Sequence, residues 1–243
     1  MKKLYIPSRW SLIFFTIVFL VAMIVRLPAS LLTLVLPSNI QLQNIEGSFW
    51  NGKASALGIN GVLAQEQLTW RFLPRSLLNT QALWNVEGRM PDKNSQLTLG
   101  INSGGVLLSG VNVVVPLEPL AALHPRLKSL QLGATLHLTA KTIAMNTRWD
   151  AVVSIDRLFS PLAPQGELGN YRINLHAEDN GKGNWQFVTV AGSLRITGNG
   201  TFDALQNSSA GQVTLIPPPQ MQGLTLALSG LPRVGEGYQF TLE

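Results

Sequence analysis

The sequence predicts an all-β protein: a single N-terminal transmembrane helix, then a twisted, mostly antiparallel β-sheet domain, sandwich-like or half-barrel-like, with one or two short helices. Three observations predict it. One uncharged apolar run stands near the N-terminus, and no later run approaches it in length. Beyond Pro37 the apolar residues recur with a period of two, which places them on one face of a strand. Clusters of glycine and asparagine separate these runs, as hairpin turns require.

The apolar run is Trp10–Val25, WSLIFFTIVFLVAMIV, and no charge interrupts it. As a helix it covers roughly 24 Å, against a hydrocarbon slab of about 30 Å. Arg9 and Arg26 flank it and can reach water along their stems, while Trp10 and Tyr5 suit the near interface. A cleaved signal peptide is the rival reading, but the chain continues Arg26-Leu27-Pro28-Ala29-Ser30, without the small-x-small exit site that cleavage needs. A buried core helix would have to be apolar on every face. Lys2, Lys3 and Arg9 favour a cytoplasmic N-terminus. The expected layout is a cytoplasmic tail over 1–9, an inner-membrane anchor over 10–26, a juxtamembrane segment over 27–39 and a periplasmic β-rich domain over 40–243. Within the juxtamembrane segment Ser30 is placed to cap a short helix, which Pro37 stops.

Period-two alternation marks strands at Ile40–Gln43, Leu68–Phe72, Leu97–Ile101, Leu130–Leu138, Trp149–Ile155, Tyr171–Leu175, Leu194–Thr197, Leu224–Leu228 and Tyr238–Leu242. Turns are expected at Asn60-Gly61, Ser103-Gly104-Gly105, Asn180-Gly181 and Gly198-Asn199-Gly200. Short helical turns are expected after Pro74, through Leu78, and from Leu117 to Leu123, stopping near Pro125.

Charge excludes one class of partner. The net charge is +5, but Lys2, Lys3, Arg9 and Arg26 all precede the first acid, Glu46, leaving 14 basic against 13 acidic residues beyond it. No basic patch remains to track a nucleic acid. The absence of cysteine removes disulfides, thiolate metal sites and thiol nucleophiles.

One stretch imitates a nucleotide site. Gly47 to Ala54, GSFWNGKA, nearly matches the phosphate loop G-x-x-x-x-G-K-[ST]. Ala54 stands where the magnesium-binding hydroxyl belongs, Phe49 and Trp50 crowd a loop that must bring backbone to phosphate, and the following residues are poor helix material. Gly47 and Gly52 are instead read as turn or bulge glycines. If the segment is extended, Phe49 and Trp50 point to opposite sides and at least one enters the core. Trp50, Trp70, Trp84, Trp149 and Trp185 are expected to anchor that core.

EGSFWNGKASAL, then LTWRFLPRSLL with Pro74, then LWNVEG resemble the type II secretion system protein N (general secretion pathway protein N) family of Gram-negative bacteria. The short basic tail, the anchor with LPASLL after it, and the later VPLEPL, LGNYRINL and AGSLRITGNGTF match as well. The resemblance covers nearly the whole chain. It implies an inner-membrane accessory or scaffold of an apparatus that exports folded proteins through an outer-membrane secretin, with other secretion components and the lipid bilayer as partners. It carries no catalytic residue over.

The residues themselves give no enzyme chemistry. His124, His137 and His176 lack metal-ligand spacing, there is no nucleophile elbow, and neither a cofactor nor a metal is expected. Two other functions stay open: a periplasmic β-groove handling lipid or another apolar ligand, whose mark is a continuous apolar concavity, and a cell-envelope hydrolase using Asp150, Asp156 and Glu178. As a scaffold, the protein is expected to bind through exposed strand edges.

Overall fold

The computed structural model describes residues 9–91, 93–121, 130–145, 147–163, 166–206 and 208–242. Lys2, Lys3, Tyr5, His124 and Pro125, invoked above, lie outside the described residues.

Helix α1, Arg9–Val25, has 17 residues and spans roughly 25 Å. Among the described residues no helix is long and apolar enough to cross a membrane. This corrects the expected transmembrane anchor over 10–26, and with it the single-pass inner-membrane placement and the cytoplasmic tail. The helix cannot lengthen at its C-terminal end, because Leu27 precedes Pro28 and a residue before proline is driven out of the α region. Arg9 and Trp10 are simply its first two residues, and Arg26 follows its last, donating its amide to the Ala22 carbonyl at 3.1 Å. A 3-10 turn, Ala29–Leu31, and helix α2, Leu32–Val35, come next. Ser30 does not cap α2: no side chain caps it, and the Ser30 carbonyl accepts from Thr33 Oγ1 at 2.7 Å.

The body is β, and every strand pair is antiparallel. The first strands are β1 (Ile40–Gln43), β2 (Glu46–Gly47), β3 (Asn51–Ala54), β4 (Ala56–Ile59), β5 (Val62–Gln65) and β6 (Gln67–Phe72). After a 3-10 turn at Pro74–Asn79 come β7 (Ala82–Met90), β8 (Lys93–Asn102) and β9 (Gly105–Pro116). Helix α3 (Glu118–Ala121) precedes β10 (Gly133–Ala144), β11 (Trp149–Phe159), β12 (Glu167–Ala177), β13 (Lys182–Gly192), β14 (Arg195–Asp203) and β15 (Ser208–Ile216). Helix α4 (Gln222–Leu228), β16 (Arg233–Val234) and β17 (Gly237–Leu242) end the chain. Fourteen strands form one sheet in the order β16-β17-β15-β14-β13-β12-β11-β10-β9-β8-β7-β6-β3-β2, and β1-β4-β5 form a small one. The helical segments are therefore a few short pieces rather than one or two, and a single sheet dominates in place of a two-sheet sandwich.

The small sheet is the bent end of the large one. Ile40 faces Ile59, Gln43 faces Ala56, Glu46 faces Lys53 and Gly47 faces Gly52, so residues 40–59 keep one hairpin register throughout. The third strand keeps register across the bend, Ala54 facing Leu68 and Leu57 facing Gln65, and slips by one residue only beyond Leu57. The ribbon changes sheets at Asn44 and Ser55. Asn44 takes a left-handed φ of 48°, which asparagine tolerates. Its Nδ2 donates to Ser55 Oγ at 3.0 Å, and the Ser55 amide and hydroxyl both donate to the Gln43 carbonyl.

Folding back carries Gln65 onto the large sheet. Its Nε2 donates to Ser95 Oγ on β8 at 3.0 Å and to the Val114 carbonyl on β9. Ser95 Oγ in turn accepts the Val114 amide at 2.9 Å, next to the point where the β8–β9 register slips. Two buried polar side chains, Gln65 and Ser95, thus bond the Val114 backbone in place of ladder bonds that the slip removes.

The far half of the inner face is covered differently. Met221, Leu224 and Leu228 share one buried cluster with Leu136, Ile155, Leu168, Tyr171, Leu194 and Ile196. Leu224–Leu228 was expected as a strand. It is helical because Leu224 and Leu228, four apart, face the core while Leu226 between them is 77% exposed, a spacing that suits one helix face. The Gly198-Asn199-Gly200 turn is also absent: all three lie inside β14. Gly200 stands opposite Trp185 on β13 and opposite Gly211 on β15, and the indole lies across both glycines. A Cβ on Gly200 would sit 2.6 Å from Trp185 Cε2 and would strike the Ala210 carbonyl. The glycines are space for a ring. Tyr171, 1% exposed, fixes the same region, with its hydroxyl 2.8 Å from the Leu194 carbonyl and 3.0 Å from that of Leu168.

Two predictions follow from this packing. Gly200→Ala should destabilise by about 1–3 kcal/mol, whereas Asn199→Ala, on the outer face, should stay within about 0.5 kcal/mol; denaturant midpoints of the two variants decide. Burial raises the Tyr171 phenol above its ordinary pKa, so the folded state keeps a proton that the unfolded chain loses near pH 10. That contribution is complete below about pH 10 and is lost as pH climbs above it. Melting temperature should therefore fall less steeply between pH 9 and 11 in Tyr171→Phe than in the parent, and equal slopes would refute the assignment.

Candidate functional site

The GSFWNG segment is the tip of the bent hairpin. Gly47 and Gly52 face each other across β2 and β3, and the turn at 48–50 closes with Ser48 N donating to the Asn51 carbonyl at 2.8 Å. Gly47 sits at φ 93°, open to glycine at little cost. Gly52 faces Trp70 on β6, and a Cβ there would lie 2.8 Å from the indole Cε2. Lys53 is on a strand and pairs with Glu46 at 2.9 Å, both well exposed. No helix follows, so this is no phosphate loop.

Phe49 and Trp50 do not point to opposite sides. They lie in the turn, outside any strand, and both enter one aromatic cluster. Trp50 stacks on Trp84 with centroids 6.0 Å apart and an interplanar angle of 9°, and it meets Phe72 at 4.8 Å. Phe49 stands edge-on to Trp84 at 5.9 Å. Trp70 and Trp84 are buried, while Phe49 and Trp50 are half-buried. Trp70 Nε1 donates to the carbonyls of Ser48 and Phe49, both at 3.2 Å. Pro74 opens the 3-10 turn that joins β6 to β7, where Ser76 Oγ accepts the Leu83 amide at 3.1 Å. That turn sets Phe72 beside Trp84.

The same tip holds the end of α1. Trp50 Nε1 donates to the Ile24 carbonyl at 2.8 Å, the Phe49 amide donates to the Leu27 carbonyl at 2.8 Å, and Pro28 bridges Ser48. One half-buried tryptophan thus caps a helix end and packs the core. Of the remaining expected core tryptophans, Trp185 is buried and Trp149 half-buried against Phe202, 5.7 Å away.

The acids and histidines do not converge. His176 Nδ1 meets Asp150 Oδ1 at 2.7 Å on the exposed outer face, Asp156 is 3.9 Å from Lys93, and Glu178 belongs to the turn before β13. His137 bonds Asn112 on the neighbouring strand. Among the described residues no group of three or more His, Asp or Glu could hold a metal. Part of the apolar inner face that a lipid groove requires is occupied, since Met221, Leu224 and Leu228 of the same chain pack there with residues of β10, β11, β12 and β14.

What the sequence did not reveal is the pair of sheet ends. Strand β2 closes one end and β16 with β17 the other. The alternation at Tyr238–Leu242 marked a strand but carried no signal that it borders the sheet.

Because Trp84 is 8% exposed and Trp50 only half-buried, Trp84→Ala should cost roughly 3–5 kcal/mol and Trp50→Ala about half as much. Equal losses in chemical denaturation would contradict the placement of the two rings.

Searches of curated proteins and of solved structures return no match to this chain. Residues 38–241, the whole β body from before β1 into β17, match the family described as type II secretion system (T2SS), protein N, and the chain belongs to that family.

Proposed function

We propose that this chain works in the periplasm by holding other secretion components through protein–protein contacts made by its sheet, and so assists the export of folded proteins across the outer membrane. The general role is fixed by the family: the chain is an accessory or scaffold component of the type II secretion system and is not an enzyme. The finer reading rests on one observation. The large sheet is open, with two ends, and an unpaired sheet edge offers backbone donors and acceptors to a further strand. The body available for this is the β-rich part beyond residue 39.

The test is purification of the full chain from actively secreting cells, with the apparatus components identified by mass spectrometry. The reading expects inner-membrane platform proteins or the secretin to co-purify with it. Recovery of the chain without any secretion component, under conditions that keep the apparatus intact, would overturn it.

A further inference from the structure

The two ends of the sheet are not equivalent. At the first end β2 is two residues long, and Glu46 and Lys53 place an ion pair beside it. Its continuation at Ser48 and Phe49 is already bonded to Leu27 and Pro28. Short length, charge and a covering segment are the devices by which sheets block strand addition. At the other end β17 runs for six residues, Gly-Tyr-Gln-Phe-Thr-Leu, with no charge. Strand β16 pairs with Gly237 and Tyr238 alone. The Gln239 amide points outward and donates to the Pro232 carbonyl at 2.8 Å. Thr241, two residues on, directs its amide to the same side, where no described strand lies.

The faces beside that edge state what would fit it. The outer face carries the exposed row Asn174, Gln186, Asn199, Gln212 and Thr241, one residue from each of five adjacent strands. The Gln239 amide extends it by bonding Gln212. The inner face carries Ile173, Phe187, Gly198, Val213 and Phe240 in register. A strand placed next continues both rows only if its residues alternate between aliphatic or aromatic and Asn, Gln, Ser or Thr. A charge on its inner face would be desolvated against that apolar row.

We propose that the outer edge of β17 over 239–242 receives an extended, uncharged segment of another secretion component, one that alternates apolar and amide or hydroxyl residues and adds as a further strand. This rests on the scaffold reading above and assigns it to one edge. A second copy of the chain, whose own β17 is uncharged and alternates in the same way, is the competing occupant, and crosslinks from the edge tell the two apart.

The experiment places a photo-crosslinking amino acid at position 241 of the full chain in secreting cells, with position 53 at the opposite end as comparison. The proposal expects a crosslink from 241 to another secretion component and none from 53. Thr241→Pro, combined with the crosslinker at 239, removes only the outward amide, which proline at an edge allows. It should cut the crosslink about tenfold with an unchanged melting temperature of the purified chain. Should that variant misfold, Thr241→Lys blocks the edge by charge instead and should have the same effect. Crosslinks from 241 to a second copy alone, or to secretion components from 53 but not from 241, overturn the edge assignment and leave the scaffold role standing. No crosslink to any secretion component from either end, together with a failed co-purification, overturns the scaffold reading itself.

Discussion

Among the described residues, two pieces of the same chain stand out on the inner face of the long sheet. One is the ribbon of β1, β4 and β5, folded back at Ser55 and held by Gln65 against Ser95 and Val114. The other is helix α4 with Met221, Leu224 and Leu228. A fourteen-stranded open sheet cannot leave an apolar face in water, and each cover solves part of the problem. The ribbon does so without any new strand pairing, since it continues the register of the sheet edge from which it bends. The buried Gln65 Nε2 ties the ribbon down, donating to Ser95 Oγ and to the Val114 carbonyl.

This arrangement accounts for the unequal ends. The end that folds back is consumed by its own bend, by the ion pair at Glu46 and Lys53, and by the clasp of Trp50 and Phe49 on the end of α1. The end where the chain finishes the sheet is bordered by a two-residue strand over only part of its length. A protein whose place in secretion is that of a scaffold thus keeps one edge closed by its own residues and presents the other. Its tryptophans and glycines serve the same geometry: Trp70 over Gly52 and Trp185 over Gly200 fill, from one strand, the room left on the next.

Much of this was legible in the sequence where one residue in two faces the core. The strands around Leu68–Phe72, Trp149–Ile155 and Tyr171–Leu175 alternate cleanly and stand where the pattern put them. Other readings failed for physical reasons. Leu224-Thr225-Leu226-Ala227-Leu228 satisfies period two and period four alike, and only burial of Leu224 and Leu228 separates them. Gly198-Asn199-Gly200 has turn composition, but a ring on the neighbouring strand decides its use. The uncharged run after Arg9 reads as a membrane span on composition, yet among the described residues no helix is long and apolar enough to cross a membrane. The change of sheet at Ser55 left no trace in the pattern, because the pairing register never breaks there. The aromatic residues of GSFWNG enter one cluster by way of a turn, which alternation cannot describe.

The most direct measurement of the folded-back ribbon is the side-chain amide of Gln65, observed by nuclear magnetic resonance in the purified chain. The account predicts slowly exchanging Nε2 protons with through-space contacts to Ser95 and Val114. Rapid exchange with solvent and no contact to either residue would show that the ribbon does not lie on the large sheet, and would contradict the way its face is covered.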